Sequence, residues 1–182
     1  MQIALSLNQI VELAAAYDVS RANSTELENV VIRRMQVAAA RGYMEPDDLT
    51  KLAEWKWQGN RTRKLCALND NDELKEVTAT SFGAKSERLK IVALTALQGV
   101  GWPMASAILH FAFVDEYPIL DVRAMKTVGG STIYTFEKWD TYTRLCREKA
   151  AELGVSMRTL DKALWQANKV RCLRLVTGRL RL

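Results

Sequence analysis

The sequence predicts an all-α fold. Apolar residues recur at spacings of three and four along most of the chain, and no segment shows a convincing alternating strand pattern. The breaks between these segments carry residues that begin or end helices. The 182 residues are predicted to form a single compact domain over residues 1–182, because chains of about 100–200 residues usually form one domain.

Three helices are predicted in the first third of the chain. The first covers residues 5–17, where apolar residues lie on one helical face. The second follows the capping residues Ser24–Glu26 and ends at Gly42, and the third begins at Glu45–Asp48 with a proline in its first turn. The break at Gly59–Asn60 ends the third helix.

The remaining helices follow from the same periodicity. Two short helices are predicted within residues 61–80, on either side of the polar break Asn69–Asp72. Further helices are predicted over residues 86–97, 103–113, 122–128, 136–152 and 157–168.

The composition excludes several common catalytic chemistries. The single histidine, His110, lies in the apolar run AILHFAFV, where a packed core residue is the favoured interpretation. Cys66, Cys146 and Cys172 include no CxxC pair, so they predict reduced thiols rather than a disulfide framework or a cysteine-held metal cluster. Histidine-based hydrolysis and zinc chemistry are therefore disfavoured.

No apolar run approaches the length of a membrane span, and the N-terminus lacks the basic region and cleavage site of a signal peptide. We therefore expect a cytoplasmic protein with no membrane partner. The net charge of +5 is not evenly spread, because residues 169–182 carry five basic and no acidic residues. A second basic cluster consists of Arg61, Arg63 and Lys64. These clusters favour contact with a polyanion such as DNA, although a solubilising tail and an ordinary solvated face would give the same pattern.

The most informative segment joins two predicted helices through Gly99, Val100 and Gly101. So short a connection favours glycine, which adopts unusual backbone conformations and lets the backbone approach a ligand. Pro103 lies early in the second helix, where its missing N–H costs nothing. The free N–H groups at the start of that helix are suited to bind an anion such as a DNA phosphate.

The pattern LxxLxGVGxxxAxxIL, followed by YPILD, resembles the helix-hairpin-helix/Gly-Pro-Asp superfamily of DNA base-excision glycosylases. YPILD is especially similar to the MutY branch, within a MutY/endonuclease III-like core. The resemblance implies a two-lobed, all-helical glycosylase-like fold with the helix-hairpin-helix at about residues 86–113. It also implies that the hairpin binds double-stranded DNA and that Asp121, which closes the Tyr117–Pro118 loop, is the catalytic carboxylate.

Two departures from the family's pattern concern its chemistry. Bifunctional members carry a Schiff-base lysine eighteen residues before the aspartate, and Pro103 stands at that position here. The resemblance therefore implies base removal without lysine-dependent strand cleavage. The closely grouped C-terminal cysteines of the family's iron–sulfur cluster are missing, so no cofactor is expected beyond the monovalent cation that the family's hairpin carbonyls often hold.

Asp121 suits this chemistry, because cleavage of an N-glycosidic bond builds positive charge on the sugar that a carboxylate stabilises. The alternative is purely structural, since an aspartate before VRAMKTV also caps a short helix. Trp102, Arg123 and Lys126 are predicted to contact the DNA backbone. For Arg123 and Lys126, an ordinary solvated surface stays open. Asp161 is predicted to be structural and is the best second carboxylate if one is needed.

A flipped base needs aromatic or apolar side chains to stack on it. Trp55 and Trp57, beside the Arg61 cluster, are the candidates for the base pocket or wedge, with core packing as the alternative. Trp139 and Trp165 are predicted to lie in the core.

The sequence therefore predicts a monomeric, monofunctional DNA glycosylase. It excises a modified or mismatched base through Asp121, and the base itself is not specified. Repair and defence against modified foreign DNA both stay open. The alternatives are a non-catalytic helix-hairpin-helix DNA-binding protein and a helical protein–protein adaptor.

Overall fold

The computed structural model describes residues 1–57 and 59–178, with side chains described as far as residue 173. Across these ranges the protein is helical and contains no strand, which confirms the all-α prediction. The α-helices are α1 (Leu7–Ser20), α2 (Thr25–Arg41), α3 (Pro46–Lys56), α4 (Asn60–Cys66), α5 (Asn71–Gly83), α6 (Glu87–Leu94), α7 (Trp102–Ala112), α8 (Val122–Thr127), α9 (Phe136–Leu153) and α10 (Met157–Gly178). A short 3-10 helix, Ala22–Ser24, joins α1 to α2. Within the described residues, no helix is both long and apolar enough to cross a membrane.

The helix ends follow from local sequence. Ser6 forms a capping box at the start of α1, and Pro46 is the first residue of α3. Gly42 ends α2 with a φ of 90°, and Gly154 ends α9 with a φ of 63°. Both glycines adopt the left-handed conformation that other residues resist, so the predicted stop at Gly42 is confirmed.

Helix α7 lies at the centre of the fold, and its residues 104–112 are all buried. Helices α2, α3 and α6 pack against α7, while α10 packs against α1, α8 and α9. The segment between α7 and α8 contains Tyr117 and Asp121, and it is hydrogen-bonded to α7 through Leu120 and Ser106 and to the start of α10 through Asp115 and Met157. The fold thereby holds this segment between α7 on one side and α10 on the other.

Candidate functional site

The connection between α6 and α7 needs glycine at one position more than at the other. Gly99 has a φ of 78°, and a Cβ atom there would lie 2.8 Å from Cys66 Sγ and 3.1 Å from Leu65 Cβ. At Gly101, whose φ is −88°, the nearest atom to a Cβ would be Pro103 Cδ at 3.9 Å. The fold therefore requires glycine at position 99, whereas Gly101 leaves open space beside the start of α7.

Helix α4 lies against this hairpin. The Asn69 side-chain amide donates to the backbone carbonyls of Cys66 and Gln98, both at 2.9 Å, and its Oδ1 accepts from the Gln98 N–H at 2.7 Å. This bridge brings the hairpin beside the basic cluster that the sequence indicates on α4. The cluster's side chains are exposed: Arg61, Arg63 and Lys64.

The loop that leads to Asp121 is fastened to α7. His110 Nδ1–H donates to the Tyr117 carbonyl at 2.6 Å, and the Leu120 N–H donates to Ser106 Oγ at 2.8 Å. Burial, and after it the charge of Arg158, lowers the pKa of His110 to about 3. The imidazole is therefore neutral near pH 7, and in this structure it holds the loop.

Asp121 is both a helix cap and an accessible carboxylate. It precedes α8, and its Oδ1 accepts from the Arg123 N–H at 2.8 Å. Its Oδ2 lies 3.5 Å from Nζ of Lys56, and its side chain is 24% exposed. The hydrogen bond from Arg123 fixes the orientation of the carboxylate, and neither contact closes it off from solvent, so the structural and catalytic interpretations are compatible.

Asp121 lies in the wall of a cavity of about 90 Å³. Three aromatic side chains contribute to the wall, from α1, α3 and α10. The lining residues are Tyr17, Arg21, Trp55, Lys56, Ile119, Asp121, Arg158, Asp161 and Trp165. Aromatic and charged groups that converge on a concave surface are typical of a ligand site.

The charges in and beside this wall form two groups, Lys56 with Asp121 and Arg158 with Asp161 and Glu28. Arg158 contacts Asp161 Oδ2 at 2.6 Å through one guanidinium nitrogen and Glu28 Oε2 at 2.7 Å through another. Burial raises the pKa of Asp161 to about 6, although the positive charges of Arg158 and Lys56 oppose this shift. Arg158 thus joins α10 to α2, and Lys56 links α3 to Asp121 at the start of α8.

The two tryptophans that the sequence suggests for a base pocket, Trp55 and Trp57, differ in burial and position. Trp55 is 7% exposed and lines the cavity, whereas Trp57 is 43% exposed and is not among the lining residues. Trp139 is fully buried, as predicted. Trp165 differs from its predicted place in the core, because it is half-buried and forms part of the cavity wall. Trp102, the first residue of α7, is half-buried.

The predicted phosphate contacts on α8 have different surroundings. The Arg123 guanidinium lies 5.0 Å from the centre of the Trp165 ring, and Lys126 is exposed. Lys169, in the basic C-terminal segment, lies 5.3 Å from the same ring. The rest of that segment, from residue 174 onward, has side chains outside the described residues.

Sequence reasoning missed Lys56, Arg158 and Tyr17 as neighbours of Asp121. Lys56 lies between Trp55 and Trp57, and nothing in the neighbouring sequence distinguishes it from a surface lysine. Arg158 precedes Asp161 by three residues, a spacing that predicts an ion pair on a helix. That spacing was the one available signal.

No family model, curated protein or solved structure matches this chain. Among the described residues, no group of three histidine, cysteine, aspartate or glutamate side chains is arranged to hold a metal ion. The resemblance carried by residues 94–121 and the geometry around Asp121 are therefore the two grounds for a functional proposal.

Proposed function

We propose that this protein is a DNA glycosylase that rotates a modified or mismatched base out of the duplex and hydrolyses its N-glycosidic bond. The observation that carries this proposal is the position of Asp121, whose partly exposed carboxylate lies in the wall of an aromatic-lined cavity. The resemblance of the hairpin and the YPILD segment to base-excision glycosylases supports the same reaction.

In the proposed reaction, Asp121 stabilises the positive charge that develops on the sugar as the bond to the base breaks. The Arg123 N–H holds one of its oxygens in place, so little reorganisation is needed during the reaction. The carboxylate also orients the water that attacks the anomeric carbon. Tyr17, Trp55 and Trp165 provide the surfaces on which a flipped base would stack.

Double-stranded DNA is the proposed partner, bound at the hairpin. Gly101 leaves the start of α7 open, and helix N-terminal N–H groups bind phosphate without a charged side chain. The exposed cluster on α4 shortly precedes Asn69, which is hydrogen-bonded to the hairpin, and its charge would add to the attraction. A monovalent cation at the hairpin carbonyls and a monomeric state stay predictions.

The test uses duplexes that carry single alkylated, oxidised, deaminated or mismatched bases, with released bases identified by mass spectrometry. We expect release of at least one base. Asp121→Asn should slow that release by about 10²-fold or more while DNA binding persists. Asp72→Asn, at an exposed position on α5, is the matched control and should behave as the parent protein does. Full activity of Asp121→Asn would show that the assigned role is wrong.

A non-catalytic DNA-binding protein is the second candidate, favoured by the hydrogen bond through which Asp121 caps α8. It predicts DNA affinity that falls steeply as salt rises, with no base released from any duplex. The adaptor alternative predicts weak DNA binding that Gly101→Ala leaves unchanged. Binding measured over a range of salt concentrations separates the adaptor from the other two.

A further inference from the structure

Lys56 is an unusually enclosed lysine. Its side chain is 8% exposed, whereas the lysines in four other ion pairs, Lys51, Lys75, Lys149 and Lys162, are 19–45% exposed. Its contact with Asp121 is long, at 3.5 Å, compared with 2.7 Å between Lys162 and Asp18. Lys56 is therefore buried beside a carboxylate without forming a tight ion pair with it.

The surroundings of Lys56 favour a reactive amine. Burial lowers its pKa, and this effect outweighs the charges of Asp121 and Asp161, which raise the pKa, while Arg158 lowers it further. A lysine with a lowered pKa has a larger neutral fraction, and the neutral amine is the nucleophile that forms Schiff bases. Lys56 also lines the same cavity as Asp121, so a sugar positioned at Asp121 would lie within reach of its Nζ.

We propose that Lys56 attacks the abasic sugar that base removal leaves at Asp121, which gives the protein a strand-cleaving lyase activity in addition to hydrolysis of the base. This inference rests on the proposed function, since the abasic sugar must occupy the cavity. The hairpin lacks the family's lysine, because Pro103 occupies that position, and the sequence therefore predicts no lysine-dependent cleavage. The inference assigns the amine to Lys56 on α3 instead.

The proposed strand cleavage proceeds through an imine between Lys56 and the sugar. After the ammonium loses a proton to solvent, Nζ bonds to C1′ of the open-chain aldehyde to give a carbinolamine. Its hydroxyl takes a proton from solvent and leaves as water, which gives an iminium ion. The Asp121 carboxylate then takes a proton from C2′, and the electron pair forms the C1′–C2′ double bond of an enamine. Its collapse breaks the C3′–O bond, and the DNA phosphate leaves. Water hydrolyses the remaining imine, which releases the unsaturated aldehyde and regenerates Lys56.

The test starts from a duplex with one preformed abasic site, so it does not depend on knowing the target base. Sodium borohydride added during incubation would reduce the imine to a stable protein–DNA adduct, and peptide mass spectrometry would identify the residue that carries it. We expect an adduct on Lys56, and strand cleavage without alkali when borohydride is omitted. No adduct, or an adduct only on another amine such as the N-terminus, would overturn the proposal.

Two variants distinguish the nucleophilic role of the Lys56 amine from the effect of its positive charge. Lys56→Arg keeps a cation beside Asp121 but cannot form an imine under these conditions, so it should lose the adduct and the alkali-independent cleavage. Lys149→Arg, which changes a lysine paired with Glu152 on α9, is the matched control and should keep both. Because the adduct is mapped in the parent protein, the result stands even if a Lys56 variant does not fold.

The two proposals fail in different ways. Base release from a modified duplex with nicks only after alkali, and no adduct, would support the glycosylase and overturn the role of Lys56. An adduct on Lys56 with no base released from any duplex would support the amine and count against the glycosylase.

Discussion

The hairpin at Gly99–Gly101 and the cavity at Asp121 hold their shapes by different means. The hairpin is fixed by the backbone conformation of Gly99, the buried side chain of Val100 and the hydrogen bonds of Asn69. The cavity instead depends on charged side chains from separate helices, centred on Arg158. The hairpin is therefore sensitive to added volume, and the cavity is sensitive to lost charge.

This difference predicts the order in which substitutions reduce the stability of the fold. A missing charge leaves its partners unpaired where water cannot compensate, and this is among the most costly single changes in a protein. Added volume at a close backbone contact costs somewhat less, because neighbouring atoms move partly aside. The hydrogen bonds that join neighbouring segments contribute least.

Arg158→Met should give the largest effect. The methionine keeps part of the apolar packing but leaves the carboxylates of Glu28 and Asp161 without their shared partner. We expect a loss of about 3–5 kcal/mol in the free energy of unfolding, measured by urea denaturation. Arg144→Met is the control, because Arg144 pairs with Asp140 at an exposed position and should contribute about 0–1 kcal/mol. Equal losses for the two variants would show that the cavity's charges do not stabilise the fold.

Gly99→Ala should come next. Its Cβ would require a left-handed conformation and would displace Cys66, which together cost about 2–4 kcal/mol of unfolding free energy. Gly101→Ala, two residues away, meets no close atom and should leave thermal stability nearly unchanged. If DNA contacts the open side of the hairpin, Gly101→Ala should still weaken DNA binding. Similar melting temperatures for the two variants would contradict the structure at Gly99.

Although the bridge from Asn69 to Gln98 could not be predicted from the sequence, the break before α7 could, because its glycines and Pro103 lie within a few consecutive residues. The helix ends at Gly42 and Pro46 were predictable for the same reason. The cavity is only partly predictable: the sequence predicts roles for Asp121 and Trp55, but Lys56 and Arg158 reach the site through packing between distant helices. Helical periodicity shows which residues face inward but not which inward faces meet, so charged side chains that meet from separate helices leave no local pattern.

Two buried titratable groups near the cavity, His110 and Asp161, should have opposite effects on stability. The pKa of His110 is about 3, below its usual value of 6.5, so its contribution is lost as the pH falls from 6.5 toward 3. The pKa of Asp161 is about 6, above its usual value of 3.8, so its contribution is lost as the pH rises from 3.8 toward 6. Between pH 3.8 and about 6, where both groups change stability, the two effects largely cancel.

Asp161→Asn should expose the histidine's effect. We expect the unfolding free energy of this variant to rise with pH between 4 and 6 more steeply than that of the parent, by about 1.4 kcal/mol per pH unit. Urea denaturation at several pH values measures both slopes. Equal slopes would mean that Asp161 does not hold its proton in the folded protein.

Asn69→Ala should give the smallest of these effects and would show how firmly α4 is joined to the hairpin. The substitution removes the hydrogen bonds to the carbonyls of Cys66 and Gln98 and to the Gln98 N–H, at a cost of about 1–2 kcal/mol because solvent can partly replace them. Asn71→Ala, at the exposed start of α5, is the control. If α4 and the hairpin bind DNA as one surface, Asn69→Ala should weaken binding more than its loss of stability suggests. Unchanged binding at a reduced melting temperature would instead show that the bridge serves the fold alone.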